Sequence, residues 1–443
     1  MTVNNNLTRR EIIKGAAACI VVPHIVLPTA LGHEGGPSPS NHITLGLIGL
    51  GSMGLRHVKG FLEEKDCRIV AVCDVDAARR SEAVRLVNKA YDNKDCSQYH
   101  NFRDLIGRKD IDAICISVPD HWHCLTALEA IRAGKDVYGE KPLTLTIAQG
   151  RRLVETVNRY GCVWQTGSWQ RSTAHFRFGC ELVRNKRIGK LLKVEVGIGP
   201  GFTPLGSAKT LFNIEPQPVQ PVPEGFDYDM WLGPALWAPY TKNRCHWNFR
   251  WILDYSGGQV TDWGAHHIDI AHWGMGCDET GPLEVVGKGI FPQDGLWDAA
   301  VDYDFECSYA DGLVMQVASN NHLHQGVRFI GSDGWVHITR SGLDADPKSL
   351  LREKIGPNEI HLARPSGDHR QGHRRDFLDC IKTRARTIAP VEVGHHSAIP
   401  AHLGNIAMRL GRKIKWNPDL EQTIGDISAS SLLDRAMRSP WHL

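Results

Sequence analysis

The feature that most constrains this chain is a strand, a glycine turn, a helix and a second strand, all packed into residues 43–74. Ile43-Thr-Leu-Gly-Leu-Ile-Gly49 is a short, apolar, β-rich run of the kind expected of a buried parallel strand. It leads into Gly49-Leu-Gly51-Ser-Met-Gly54 and then a helical stretch through Lys65. In that context Gly49 permits a tight turn, Gly51 lets backbone approach a pyrophosphate, and Gly54 allows close helix–strand packing. The helix N-terminus offers amide donors and a positive dipole end to phosphates. The second strand, Arg68-Ile-Val-Ala-Val-Cys-Asp74, ends in an acid about twenty residues after Gly54, where a ribose-binding carboxylate belongs. Gly49, Gly51, Gly54 and Asp74 therefore read as a dinucleotide cradle. A carboxylate accepts from ribose hydroxyls and repels a 2′-phosphate, so Asp74 favours NAD. Arg79 and Arg80 follow closely and keep NADP open.

The chain then keeps the alternating rhythm of a doubly wound sheet. Asp112–Val118 reads as a strand, Pro119-Asp-His-Trp-His123 as a loop, and Cys124–Ala133 as a helix ended by Gly134. A strand over Asp136–Gly139 reaches Glu140-Lys141-Pro142; a helix over Ile147–Tyr160 follows, and Cys162–Thr166 closes the unit. Ligands of such sheets sit at the carboxyl ends of the strands, which places the loops after Val118 and Gly139 over the cofactor. His121 and His123 read as residues that cap or line the helix rather than catalyse.

With these residues in view, the chain resembles the glucose–fructose oxidoreductase/inositol dehydrogenase family, often written Gfo/Idh/MocA. The resemblance is carried by Gly49-x-Gly51-x-x-Gly54, Asp74, the Pro119–His123 loop, Ala133-Gly134-Lys135-Asp136-Val137 and Glu140-Lys141-Pro142. It implies an α/β chain: an N-terminal Rossmann doubly wound parallel sheet over 43–165, then an α+β substrate domain over 166–443 with an open, mostly antiparallel sheet. It implies Pro119, His123 and Glu140 beside the cofactor. It also implies that Lys141 touches both the nicotinamide region and the reacting hydroxyl, next to a commonly cis Pro142.

In the second domain Leu191–Ile198 alternates as a strand does, with weaker alternation over Leu283–Ile290 and Leu313–Ala318. Thr203–Gly225, rich in proline, reads as a long loop, and His373–Trp416 as two helices, the second over Ala401–Arg412. The informative run is Trp247 to Trp273. Gly257-Gly258 permits a tight turn, after which helical spacing puts Asp262, His266 and Asp269 on one face. A carboxylate one turn before an imidazole fixes its tautomer and raises its basicity, as a general base requires. The resemblance assigns proton transfer and sugar binding to an Asp-x-x-x-His at this point, here Asp262 and His266. The same residues with His267 also suit a metal or a polar network tying helix to sheet. His267 turned away from His266 argues against the metal. Arg177, Arg250, Tyr255 and His267 are candidate sugar contacts.

The bulk composition is that of an ordinary globular protein, with 42% hydrophobic and 23% charged residues. A net charge of +2 gives no ground for a nucleic-acid or anionic-membrane partner. The 12 cysteines lack paired metal spacing, which points away from a zinc ribbon or a disulfide framework. At the N-terminus, Thr8-Arg9-Arg10-Glu11-Ile12-Ile13-Lys14 precedes an apolar run to Leu31 that Pro23 and Pro28 interrupt, too short to span a bilayer. Residues 1–32 therefore read as a signal for the twin-arginine translocase, and 33–42 as linker. That route carries folded proteins, so a periplasmic or otherwise exported enzyme should arrive with its cofactor tightly bound. The expected function is oxidation of a CH–OH group of a sugar, glycoside or cyclic polyol by hydride transfer to NAD(P). The alternative is a redox-neutral glycosidase that oxidises C3 transiently and eliminates the aglycone. A cofactor-bound scaffold is a third reading, and the intact Glu140-Lys141-Pro142 and Asp262/His266 speak against it. An exposed sheet in the second domain would make a homo-oligomer.

Overall fold

The computed structural model of the protein describes residues 42–201 and 218–443. The expected signal, the linker before His42 and most of the expected 203–225 loop lie outside the described residues.

The first sheet has six parallel strands, built as β1 (Ile43–Ile48), β2 (Cys67–Cys73), β3 (Ser97–Tyr99), β4 (Ala113–Ile116), β5 (Asp136–Gly139) and β6 (Trp164–Thr166). Their order is β3-β2-β1-β4-β5-β6, so the direction of winding reverses between β1 and β4. The connecting helices are α1 (Ser52–Leu62), α2 (Ala77–Tyr91), α3 (Phe102–Ile106), α4 (Asp120–Arg132) and α5 (Ile147–Tyr160). The strands are apolar on both faces because helices cover both: Leu45, Leu47, Ile114, Ile116 and Val137 are all buried. Helix α4 starts at Asp120, four residues before the expected Cys124, because Pro119 supplies its N-cap with an extended ψ. The Pro119–His123 stretch is thus mostly the first turn of a helix rather than a loop.

The second sheet has nine strands: β7 (Leu191–Ile198), β8 (Glu284–Ile290), β9 (Asp302–Ser308), β10 (Val314–Ser319), β11 (Gly326–Gly331), β12 (Trp335–Thr339), β13 (Gly342–Asp346), β14 (Ile414–Asn417) and β15 (Gln422–Thr423). Their order is β13-β12-β11-β7-β10-β9-β8-β14-β15, antiparallel except for the β7–β10 pair. Helices α6 (Ala174–Arg184), α7 (Tyr228–Leu232), α8 (Gln259–Asp262), α9 (Gly264–Met275), α10 (His369–Thr383), α11 (Val391–Leu410) and α12 (Ile427–Ser430) complete the chain. One face of this sheet is covered: Val194, Val196, Phe305, Met315, Val317 and Phe329 join Ile268, Ile270 and Leu403 in one core. The alternate positions form a polar ladder, in which Lys193 Nζ donates to Gln316 at 2.7 Å and to Glu195 at 3.1 Å, and Gln316 donates to Asp304 at 2.9 Å. Helix α11 begins ten residues ahead of the expected Ala401, Pro400 notwithstanding, because its whole length is buried. Among the described residues no helix is long and apolar enough to cross a membrane.

Candidate functional site

A cleft of about 410 Å³ runs along the carboxyl ends of β1, β2, β4 and β5 and is closed by the second domain. Its first wall is the glycine turn. Gly49 adopts φ +86°, and a Cβ at Gly54 would lie 1.9 Å from the Gly49 carbonyl oxygen, so helix α1 can dock only because both are glycine. The α1 N-terminus has no side-chain cap and no acid in its first turn, leaving its donors to a ligand. Asp74, at the end of β2, accepts from the backbone N–H of Leu50 at 2.6 Å and of Asp76 at 2.9 Å. Burial pushes its carboxyl above the ordinary value, against the pull of Arg79 and these two donors. This donor-and-acceptor set fits a dinucleotide: amides at the phosphates, a carboxylate at the ribose.

Where β5 ends, two consecutive side chains diverge. Glu140 turns back to α1, where His57 Nε2 lies 2.8 Å from its carboxylate. Burial raises the Glu140 carboxyl, and the hydrogen bond and charge of His57 more than offset it, leaving the group below its ordinary range. Lys141 turns forward, and the Lys141–Pro142 bond is cis. Its Nζ donates to Asp262 Oδ1 at 2.7 Å and to the Asp262 carbonyl at 2.9 Å. His123 sits between the carbonyl oxygens of Pro142 (2.8 Å) and Val118 (2.9 Å), joining this loop to the one after β4.

Asp262 also accepts from Arg250 Nε at 3.2 Å, and Arg250 stacks on Trp247 and Phe249 at 4.3 and 4.7 Å. Burial raises the Asp262 carboxyl, but the charges of Lys141 and Arg250 override it and hold the group far below the carboxylate range. His266 lines the cleft with its Nδ1 buried and unpartnered among the described residues. Burial, then the Lys141 charge, then that of Arg340, hold it well below the ordinary imidazole value. At neutral pH it is uncharged.

Of the expected residues, Gly49, Gly51, Asp74, Pro119, His123, Glu140, Lys141, Arg250, Asp262 and His266 line this one cleft, with Gly54 packed directly beneath. Several expectations need correction. The Asp262 carboxylate is engaged by Lys141 and Arg250 and does not polarise His266. The helix assumed to align them breaks at Trp263 into α8 and α9. Asp269, on α9, is buried outside the cleft, where Arg171 Nε contacts both its oxygens at 2.9 Å. Tyr255 is not a sugar contact: its ring is buried against His121 and Trp231, and its hydroxyl accepts from Arg244 at 3.1 Å. His267 is also core, 3.3 Å from Gln170 and edge-on to Trp263, and burial drives it down to about 3. Arg177 is half-buried outside the cleft, because α6 packs its Gly179 face against Ile338 and Leu343. Sequence reasoning missed Trp169, Trp263, Arg340 and Arg370, which line the cleft from separate elements. The 13 tryptophans of the sequence, whose aromatic faces suit sugar rings as well as cores, are the one signal that points to any of them. No group of three or more potential metal ligands occurs among the described residues.

Comparison with known proteins agrees with this architecture. A family model described as "Oxidoreductase family, NAD-binding Rossmann fold" matches residues 43–168, and "Oxidoreductase family, C-terminal alpha/beta domain" matches 179–443. An alpha-N-acetylgalactosaminidase of Shewanella oneidensis is 29% identical over 178 residues, 35% of this chain and only 38% of that protein. The WlbA dehydrogenase from Chromobacterium violaceum, solved with NADH and UDP-GlcNAcA, superposes with TM-score 0.62 at 14% identity, over 86% of this chain and 98% of that one. A myo-inositol 2-dehydrogenase from Lactobacillus plantarum superposes with TM-score 0.57 at 18% identity, over 84% and 99%. These structures share the fold; the family models cover both domains and the cradle residues, and the chain belongs to the Gfo/Idh/MocA oxidoreductase family.

Proposed function

We propose that the protein removes hydride from a CH–OH carbon of a sugar, glycoside or cyclic polyol, with NAD as acceptor. The observation that carries this reading is the meeting of Lys141, Asp262 and His266 in the same cleft as the glycine turn and Asp74. Bound NAD supplies the redox step itself. Lys141, fixed by two bonds to Asp262, keeps an N–H for the substrate oxygen and stabilises negative charge growing there. His266, uncharged, accepts the hydroxyl proton. Asp262 acts on Lys141, holding the ammonium aimed. Trp169, Trp247 and Trp263 line the same cleft and give it aromatic surface against which a ring can pack. The test is NADH formation across a panel of sugars, glycosides and inositols. Turnover that survives Lys141→Ala would overturn the reading.

A second reading is favoured by the glycosidase named among the partial relatives. The hydride would shuttle to the cofactor and back while the glycosidic bond is lost by elimination. Products separate the two: a ketosugar with accumulating NADH marks net oxidation, whereas free reducing sugar without net NADH marks the redox-neutral route.

On the strength of Thr8–Lys14 and the run to Leu31, we also propose export through the twin-arginine translocase, with NAD tightly held, and self-association through the uncovered face of the second sheet. Periplasmic fractionation, cofactor released on denaturation, and the mass in solution test these three points.

A further inference from the structure

Three guanidinium groups of the cleft, those of Arg56, Arg340 and Arg370, have no carboxylate partner among the described residues, and the last two converge on one ring. Arg340 follows β12 and Arg370 stands in the first turn of α10, yet both reach the Trp169 indole, at 5.0 and 4.1 Å from its ring centroid. Arg340 stacks on Trp263 as well, at 4.1 Å, and its Nη2 donates to Gln170 Oε1 at 3.3 Å. The Nε of both Arg340 and Arg370 is buried without a hydrogen-bond partner. The nearby acids are engaged elsewhere: Asp262 with Lys141 and Arg250, Glu140 with His57, Asp120 with Ser256 at 2.5 Å. Burial and the neighbouring Arg370 push Arg340 down to about 10; burial and Arg56 lower Arg370. Each cation is therefore held where a counter-charge would relieve it.

The position of the pair indicates what that counter-charge belongs to. The Trp169 ring lies 6.3 Å from that of His266, so the arginines flank the proton acceptor rather than Asp74 and the ribose site. We propose that Arg340 and Arg370 form an anion subsite and that the substrate is a sugar or glycoside carrying an ionised carboxylate or ester sulfate near the reacting CH–OH. This rests on the sugar-oxidation reading above and specifies its substrate class. Guanidinium forks match paired oxygens of either group.

The experiment compares the methyl glucoside and galactoside with their uronic acids and 6-sulfates, on the NAD-loaded enzyme. We expect kcat/KM to favour one charged member about tenfold to a hundredfold over its neutral parent. Arg340→Gln and Arg370→Gln should each collapse that ratio, with Arg370→Lys keeping part of it; the preferred member identifies carboxylate or sulfate. Calorimetric binding of the same compounds reads the subsite independently of turnover. Charge-selective binding without turnover would keep the subsite and remove the oxidation. Equal binding of charged and neutral members, no binding of any charged member, or losses confined to NAD affinity would overturn the subsite.

Discussion

Lys141 Nζ bonds both the side chain and the backbone carbonyl of Asp262, at 2.7 and 2.9 Å. One residue of the second domain thus takes two hydrogens of an ammonium carried by the first. The pair is largely enclosed, with each side chain 12% exposed. Its two ends are coupled, so changes at either should alter the site in different ways.

Lys141→Ala should leave NAD bound and lower turnover by about 10²- to 10⁴-fold, the range for loss of a positioned acid–base group. Cofactor titration alongside kcat checks the split. Equal losses in NAD affinity and turnover would place Lys141 in cofactor binding alone.

Asp262→Asn should cost about 3 kcal/mol, because it leaves Lys141 and Arg250 without their shared buried anion. Denaturant unfolding measures this. The same variant should lower kcat, since Lys141 loses its fixed direction.

Asp74→Ser should shift preference from NAD toward NADP by roughly tenfold or more, because it removes the ribose acceptor and the repulsion of a 2′-phosphate. Arg79, whose charge is the strongest influence lowering the Asp74 carboxyl, would then favour the phosphate. The ratio of dissociation constants for the two cofactors is the readout, and an unchanged ratio would remove Asp74 from the ribose site.

Acid should destabilise the protein through its buried imidazoles. Burial lowers His121, His373 and His402 to about 4, and His267 and His272 to about 3. Unfolded, these imidazoles take up protons near 6.5, so the stability they contribute is complete above that pH. It is lost as pH falls from about 6.5 to 4, by about 1.4 kcal/mol per pH unit for each. Asp269, which burial raises to about 6, works the other way and offsets one of them. A Tm that stays level between pH 7 and 4.5 would contradict this.

Buried Arg171 ties the buried Asp269 to the half-buried Asp278, and Arg171→Ala should cost about 3 kcal/mol, chiefly by stranding Asp269. Because none of these three residues lines the cleft, NAD affinity of the folded fraction should be unchanged.

What was legible in the sequence follows from how local each signal is. The glycine turn, Asp74 and the strands β1, β2 and β5 declare themselves within short windows, since the backbone geometry needs those residues at that spacing. Lys141, Asp262 and His266 were legible as candidate site residues chiefly through the family resemblance that Glu140-Lys141-Pro142 and the Asp-x-x-x-His spacing carry. Their partnership was not: helical spacing paired Asp262 with His266, whereas a break at Trp263 and a lysine from the other domain decided the carboxylate's contacts. Arg340 and Arg370 come from the end of a strand and the start of a helix late in the chain, with no period linking them to the rest. Tyr255 was misplaced because a polar tip on an aromatic ring reads the same in a core as in a cleft.

The opposed anchoring of Glu140 and Lys141 bears on the order in which the molecule becomes competent. Glu140 is secured within the first domain, by His57, as soon as that domain forms. Lys141 acquires its direction only when the second domain delivers Asp262. During synthesis, a nascent chain that has reached β6 carries the cradle residues but no aimed lysine. Reactivity toward substrate is thereby withheld until the last helices, among them α11 packed on α5, have closed the protein around its cleft.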